Sequence, residues 1–213
     1  GQGAKVTQHW KDSVVWYEKA KAAGNSGEVA TEAVGQMMFT LAEPEYTAYM
    51  AMKINGPGDK KLPNKAIDKM LKEQLVAKAK ATQALELTYN KIIATGAGRW
   101  GLASLVRLGH ASEDLGETLL KSYQPSYLTE DQKEIYTMAL EDKAYPATQK
   151  AAAFYSTGLA KAYELSIYNE DTAEATRRLG VLAPDEFPGL FETIPAPRFT
   201  SPSAAAASFE KEP

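Results

Sequence analysis

The feature that most constrains this chain is an apolar pattern over residues 63–95, which no glycine or proline interrupts after Pro63. Steps of three or four residues place the large side chains of this stretch on one face of a helix. The pattern predicts either one bent helix or two consecutive helices. Its apolar positions are Ile67, Leu71, Leu75, Leu85 and Tyr89.

Every other long apolar pattern in the chain has the same helical period. Thr129 and Gln132 have the spacing of a capping box, and Asn169 is a predicted N-cap. Pro44 and Pro146 are each predicted to end one helix and to stand in the first turn of the next. No segment has the pattern of a strand, so we predict an all-α fold. The other predicted helices cover 6–23, 28–42, 45–54, 102–120, 130–142, 146–165 and 170–179, the last of them ended by Gly180.

A glycine-rich motif follows the longest helical pattern. Residues 96–101, GAGRWG, match the G-x-G-x-x-G spacing with which dinucleotide-binding proteins hold a pyrophosphate at a helix N-terminus. That site needs a strand before the motif and a second, parallel strand after its helix, and neither pattern is present. We therefore predict a joint between two helices, with Gly96 and Gly98 in left-handed geometry and Gly101 easing the start of the next helix.

The helix after this joint contains a glycine at an unusual place. Gly109 in mid-helix costs about 1 kcal/mol relative to alanine, so we expect another helix to approach closely there. The spacing Leu105-x-x-Leu108-Gly109 is similar to the first-helix signature of tetratricopeptide repeats.

Composition excludes several classes of function. The chain has 213 residues, 44% hydrophobic and 24% charged, with a net charge of −3. This balance lacks the basic surface that nucleic-acid binding needs. The absence of cysteine excludes disulfides, thiolate chemistry and cysteine-ligated zinc. No run approaches the ~20 apolar residues of a membrane-spanning helix.

No catalytic motif is present. His9 and His110 are the only histidines, and neither belongs to an E-x-x-H or H-E-x-x-H sequence. Neither a Walker sequence nor a G-x-S-x-G elbow occurs. We therefore predict a protein that is not an enzyme and has no cofactor and no metal site.

The charged residues of the helices are interpreted as surface groups. Lysines alternate with alanines over 76–81, which predicts a solvated face that includes Lys78. His110 and Asp114 share one helix face and are interpreted as a surface pair rather than a catalytic dyad. Glu113 beside Asp114 is assigned to the helix surface as well.

The composition changes at residue 184, since six of the 11 prolines fall within 184–213. Such a segment cannot form a core of its own, so it is either a linker or an extended tail that covers the helices. The predicted organisation is N-terminal helices over 1–54, helical hairpins of the same domain over 59–183, and an extended tail over 184–213. Five apolar side chains form a candidate interaction or capping segment: Phe187, Leu190, Phe191, Ile194 and Phe199.

The C-terminal third carries a resemblance to a known family. Residues 151–165, AAAFYSTGLAKAYEL, look like a tetratricopeptide helix, and 163–188 resemble the end of tetratricopeptide-like proteins of myxobacteria. The resemblance implies stacked antiparallel helical hairpins, an α-solenoid. It also implies a periplasmic or cell-envelope scaffold that binds other proteins of an envelope complex, as in gliding motility, with the oligomeric state open. The alternatives are a helical domain that binds a small ligand or cell-wall component between helices and, third, a nucleotide-binding enzyme.

Overall fold

The computed structural model describes residues 2–58 and 60–188. Within these ranges there are helices and no strands, which confirms the all-α fold. Leu190, Phe191, Ile194 and Phe199 of the candidate segment lie outside the described residues. The helices are α1 (Gln2–Ala22), α2 (Glu28–Ala51), α3 (Asn64–Ile93), α4 (Gly98–Leu120), α5 (Glu130–Glu164) and α6 (Glu170–Leu182).

Two predicted helix breaks are wrong. Pro44 lies inside α2 and Pro146 inside α5, and both helices continue through the proline. An internal proline removes one backbone hydrogen bond and costs about 3 kcal/mol. Buried residues on both sides offset this cost: Ala42 and Tyr46 flank Pro44, and Ala144 and Ala147 flank Pro146. The pattern over 63–95 is a single helix, α3, which resolves the alternative that the sequence left open.

The two predicted helix caps are confirmed, and the predicted end at Gly180 is wrong. The Gln132 backbone N–H donates to Thr129 Oγ1 over 3.3 Å, and the Thr129 N–H donates to Gln132 Oε1 over 3.0 Å, which completes the capping box. Asn169 Oδ1 accepts from the Thr172 N–H over 3.1 Å. Gly180 does not end α6, because the helix continues to Leu182.

The glycine-rich motif is a joint between α3 and α4. Gly96 has a φ of +86°, the left-handed geometry that glycine adopts without strain. Gly98 was expected to share this geometry, but it is instead the first residue of α4. The motif is preceded by the end of a helix, so the strand that a dinucleotide site requires is replaced by α3.

Helix α4 is the centre of the fold. It contacts α2, α3, α5 and α6, whereas α1 packs on α2 alone among the helices. Every helix pair in contact is adjacent or next but one along the chain. Three apolar clusters surround α4, one with α2 and α3, one with α5 and α6, and one at its C-terminal end. Their central residues include Tyr49, Leu85, Tyr89, Ile92, Leu102, Leu108, Leu119, Tyr155 and Leu179.

The close approach predicted at Gly109 is confirmed. A Cβ atom at this position would overlap the ring of Tyr155 on α5, so α4 and α5 meet where glycine leaves room for the tyrosine. The free energy gained by burying the Tyr155 ring at this contact offsets the low helix propensity of Gly109.

We expect Gly109→Ala to lower the free energy of unfolding by about 1–3 kcal/mol, because overpacking outweighs the ~1 kcal/mol gain in helix propensity. Gly101→Ala is the matched control in the same helix. There a Cβ would meet only the Ile93 Cα, at 3.9 Å, so this variant should be neutral or slightly more stable. Urea unfolding of both variants measures the difference, and equal midpoints would contradict the packing argument.

Candidate functional site

A buried lysine joins three helices. Lys78 of α3 is 1% exposed, so the prediction that it belongs to a solvated face is wrong. Its Nζ donates to the backbone oxygens of Tyr49 and Met52, each over 3.0 Å, and pairs with the Asp114 carboxylate of α4. Tyr49 and Met52 stand at the C-terminal end of α2, where the last carbonyls lack the usual helical partner four residues on. The Tyr49 oxygen also accepts from the Met52 N–H over 3.0 Å. Lys78 therefore caps α2 while it neutralises Asp114.

Asp114 lies between two lysines. Besides Lys78 it pairs with Lys53, whose Nζ is 3.0 Å from Asp114 Oδ1. The predicted pairing of His110 with Asp114 is wrong, because His110 Nε2 lies 2.9 Å from Glu174 Oε1 on α6. Burial lowers the pKa of Lys78, and the hydrogen bond to Asp114 opposes that shift.

A second buried carboxylate joins α4 to the last two helices. Glu113 is 8% exposed, so its assignment to the surface is also wrong. Arg178 of α6 donates to this carboxylate from Nε over 2.8 Å, and the Tyr155 hydroxyl of α5 donates to it over 2.8 Å. Burial and the neighbouring carboxylate raise the pKa of Tyr155 above its ordinary value.

A cleft of about 250 Å³ lies over these charged groups, between α2, α4 and α6. Its carboxylates already have cationic partners: Glu113 has Arg178, Asp114 has Lys53 and Lys78, Glu117 has Lys121, and Glu174 has Arg177. The described residues form no group of three metal-ligating side chains. The pairs of Glu113 and Asp114 join α4 to other parts of the fold, whereas Lys121–Glu117 and Arg177–Glu174 are local pairs at α4 and α6.

An apolar pocket of about 300 Å³ lies on the other side of α4, between α3 and α5. The two flanking helices make no direct backbone contact there, so the C-terminal end of α4 forms the floor. Lys72 of α3 and Lys143 of α5 stand at its edge. The apolar walls comprise Ile54, Leu71, Leu75, Leu119, Leu128, Leu140 and the rings of Tyr127 and Tyr136.

The loop between α4 and α5 closes one end of this pocket. Tyr123 in this loop donates its N–H to the Ile54 oxygen over 2.9 Å, and the Tyr127 hydroxyl bonds to Asp68 of α3. Gly56, with a φ of +65°, leaves room for the Tyr123 ring. Farther along the same two helices, Lys150 of α5 bridges to Glu86 of α3 over 2.6 Å. The pocket is thus closed at the end where the α4–α5 loop lies.

Exposed apolar side chains cluster at the turn between α5 and α6. Tyr163, Leu165 and Tyr168 are 56%, 51% and 72% exposed, and we call them the aromatic corner. The two tyrosine rings lie 6.3 Å apart. Ser166 between them has a φ of 55°, which is uncommon for a residue with a side chain.

Phe187 is the one member of the candidate capping segment within the described ranges. Its side chain packs on the cluster that contains Leu179, and its N–H donates to the Ala183 oxygen over 2.9 Å. These contacts place Phe187 in a turn directly after α6, and the extended tail beyond it stays a prediction. Capping by the remaining members stays a prediction.

Among the described helices, none combines the length and apolar character that crossing a membrane requires. The sequence did not predict the charged cleft or the apolar pocket, because each combines residues that lie far apart in the chain. It did not predict the aromatic corner, which depends on one turn. Comparison of this chain with family models, with curated proteins and with solved structures finds no match.

Proposed function

We propose that this chain is a non-catalytic scaffold that binds other proteins in a bacterial cell-envelope assembly of the gliding-motility kind, on the periplasmic side. The aromatic corner carries the proposal. Tyrosine is enriched among the residues that dominate binding energy at protein interfaces, and here two of them stand exposed beside a leucine. The resemblance of residues 151–188 to tetratricopeptide-like envelope proteins supports the same class of function.

The order of helix contacts supports a stack of hairpins. In a solenoid each repeat contacts only its neighbours, and here contacts join only adjacent or next-but-one helices. Such a stack presents its turns along one edge, where partners can reach them. The turn between α5 and α6 presents the aromatic corner in this way.

The aromatic corner is held in shape before any partner binds. The Ile167 N–H donates to the Ala162 oxygen over 2.8 Å, and the Thr172 hydroxyl donates to the Ile167 oxygen over 2.8 Å. Ile167 also packs on the core cluster of α4, α5 and α6. Binding then avoids much of the entropy cost of ordering a flexible loop.

The test is a double substitution, Tyr163→Ser with Tyr168→Ser. We expect it to weaken partner binding by at least about a hundredfold, since each central aromatic contributes about 2 kcal/mol or more. The thermal midpoint should stay unchanged, because both side chains are exposed. The matched control is Tyr145→Ser, which removes a tyrosine that is 65% exposed on α5 away from the corner.

The partner is first captured from an envelope extract with the full chain and then titrated as a purified protein. Undiminished affinity of the double variant would show that the aromatic corner is not the binding surface. A second candidate function, the binding of a small ligand between helices, is favoured by the apolar pocket between α3 and α5.

A further inference from the structure

We propose that the pocket between α3 and α5 binds an unbranched medium-chain carboxylate, with the alkyl chain on the pocket floor and the carboxylate between Lys72 and Lys143. The inference deepens the second candidate function and is independent of the scaffold. Variants that lose ligand binding at the pocket should still bind a partner at the aromatic corner. Variants that lose partner binding at the corner should still bind the ligand.

The size and shape of the pocket favour a short apolar chain over a polypeptide. Its volume of about 300 Å³ is at the lower limit of small-ligand pockets. A polypeptide that lies along a groove has to leave it at both ends. Here the loop between α4 and α5 closes one end, where the Tyr127 hydroxyl bonds to Asp68.

The lining favours a chain without polar groups. The floor and walls are formed by branched aliphatic side chains of three helices and the linker after α2, among them Ile54, Leu71, Leu119 and Leu140. A buried polar group on the ligand would find few partners there and would lose its hydrogen bonds to water. An alkyl chain loses nothing polar and gains from burial of its methylene groups.

The charges at the mouth favour an anionic head group. Lys72 and Lys143 come from facing helices, and the structure pairs neither with a carboxylate of the described residues. Asp68, the one acidic residue of the lining, is already bonded to the Tyr127 hydroxyl. Lysine stems can cover the apolar edge while their ammonium groups reach the head group in water.

The chain-length series is the first test. Isothermal calorimetry of the full chain with octanoate, decanoate and dodecanoate, each below its micelle concentration, should show about fourfold tighter binding per added methylene until the pocket is full. Decanol tests the head group, and we expect it to bind more weakly than decanoate. Absence of binding for all three acids, or equal affinity across the series, would overturn the proposal.

Substitutions of the two lysines at the mouth test whether their charge, rather than the shape of the pocket, holds the carboxylate. Lys72→Gln with Lys143→Gln should weaken decanoate binding by about fivefold to twentyfold and leave decanol binding unchanged, since an exposed ion pair contributes up to ~1 kcal/mol. Lys5→Gln with Lys80→Gln removes the same charge from exposed sites outside the lining and should change neither ligand. If both double variants weaken decanoate equally, the carboxylate is not held by Lys72 and Lys143, and that assignment fails.

Ala139→Trp tests whether the ligand occupies this pocket. Ala139 is an exposed residue of the lining, so an indole there fills the mouth without disturbing the core. We expect it to abolish decanoate binding, whereas Ala153→Trp, at an exposed position on another face of α5, should leave it unchanged. Circular dichroism confirms that both variants are folded. Unchanged binding by the folded Ala139→Trp variant would place the ligand elsewhere and overturn the proposal.

Discussion

Replacing Lys78 with methionine should lower the free energy of unfolding by about 3–5 kcal/mol, as removal of one partner of a buried ion pair does. Methionine fills similar volume, so the loss comes from the groups left behind. The Met52 carbonyl oxygen loses its Lys78 donor, the Asp114 carboxylate keeps only Lys53, and the Tyr49 oxygen keeps only the Met52 N–H. Urea denaturation followed by circular dichroism measures the change. The expected loss is about a fifth or more of the stability of an ordinary domain.

Lys80→Met is the matched control for this prediction. Lys80 lies two residues from Lys78, is exposed and has no ion-pair partner in the described structure, so its replacement should change stability by less than about 0.5 kcal/mol. Adding Asp114→Leu to Lys78→Met should restore part of the loss, because it removes a carboxylate that has lost its buried partner and keeps only the half-exposed Lys53. If Lys78→Met and Lys80→Met unfold at the same urea concentration, the buried pair does not contribute to stability.

Alkaline unfolding is the second large effect that we expect. Burial raises the pKa of Tyr49, Tyr89 and Tyr155 above the ordinary value of 10.0. Above that value the unfolded chain releases protons that the folded chain keeps. The free energy of unfolding is therefore unaffected by these tyrosines below about pH 10 and falls as the pH rises further. One titrating group contributes ~1.4 kcal/mol per pH unit, so three tyrosines together contribute about 4 kcal/mol per unit.

Titration of Lys78 makes the free energy of unfolding rise with pH, the opposite of the tyrosines, and over a narrower pH range. Its lowered pKa means that the unfolded chain holds more protons up to the ordinary value of 10.5, above which both states have lost this proton. The steep loss of stability is therefore expected above about pH 10.5. Urea midpoints measured in steps of pH, with tyrosinate absorbance as a second probe, follow the transition.

Tyr89→Phe isolates one of the three tyrosines. The Tyr89 hydroxyl is buried and has no hydrogen-bond partner, so its removal should cost little at neutral pH. The same variant should lose stability more slowly in alkali, by ~1.4 kcal/mol per pH unit. A slope equal to that of the unchanged protein would mean that Tyr89 does not resist ionisation in the folded state.

Helix starts could be predicted from the sequence because their causes are local. The Thr129 capping box and the Asn169 cap use residues three positions apart, and the apolar period follows from the geometry of a single helix. Continuation through Pro44 and Pro146 could not be predicted in this way. The local cost of each proline is offset by packing against α3 and α4, which the neighbouring sequence does not contain.

For the buried charges, too, the local pattern could be predicted and the tertiary partners could not. Lys78 lies seven residues from both Leu71 and Leu85, so its place on the buried face was available from the helical period. Its identity as a lysine led to the opposite interpretation, because charged residues are seldom buried. The buried ammonium of Lys78 is stabilised by the carbonyl oxygens at the end of α2 and by the carboxylate of Asp114, which is 36 residues away in the chain.

The candidate sites depend on still longer separations. The apolar pocket combines the linker after α2, the first half of α3, the end of α4 and the start of α5, so no single stretch of sequence contains its pattern. The aromatic corner is local, but Tyr163 and Leu165 fit a helical period and were assigned to the helix itself. Helix α5 instead ends at Glu164, and the left-handed residue Ser166 turns the chain just after it.

The position of α1 at the edge of the helix array sets the order in which the molecule opens. Its attachments beyond α2 are few: the Lys21 ammonium reaches the oxygens of Ala94 and Thr95 over 3.0 and 2.9 Å, in an exposed setting. Tyr17 bonds to Thr31 on α2 over 2.7 Å. Separation of α1 leaves every contact of α4 in place, whereas any movement of α4 disturbs four other helices. We therefore expect α1 to separate from the fold at a lower free energy than α4, which makes the face of α2 beneath it accessible to other molecules.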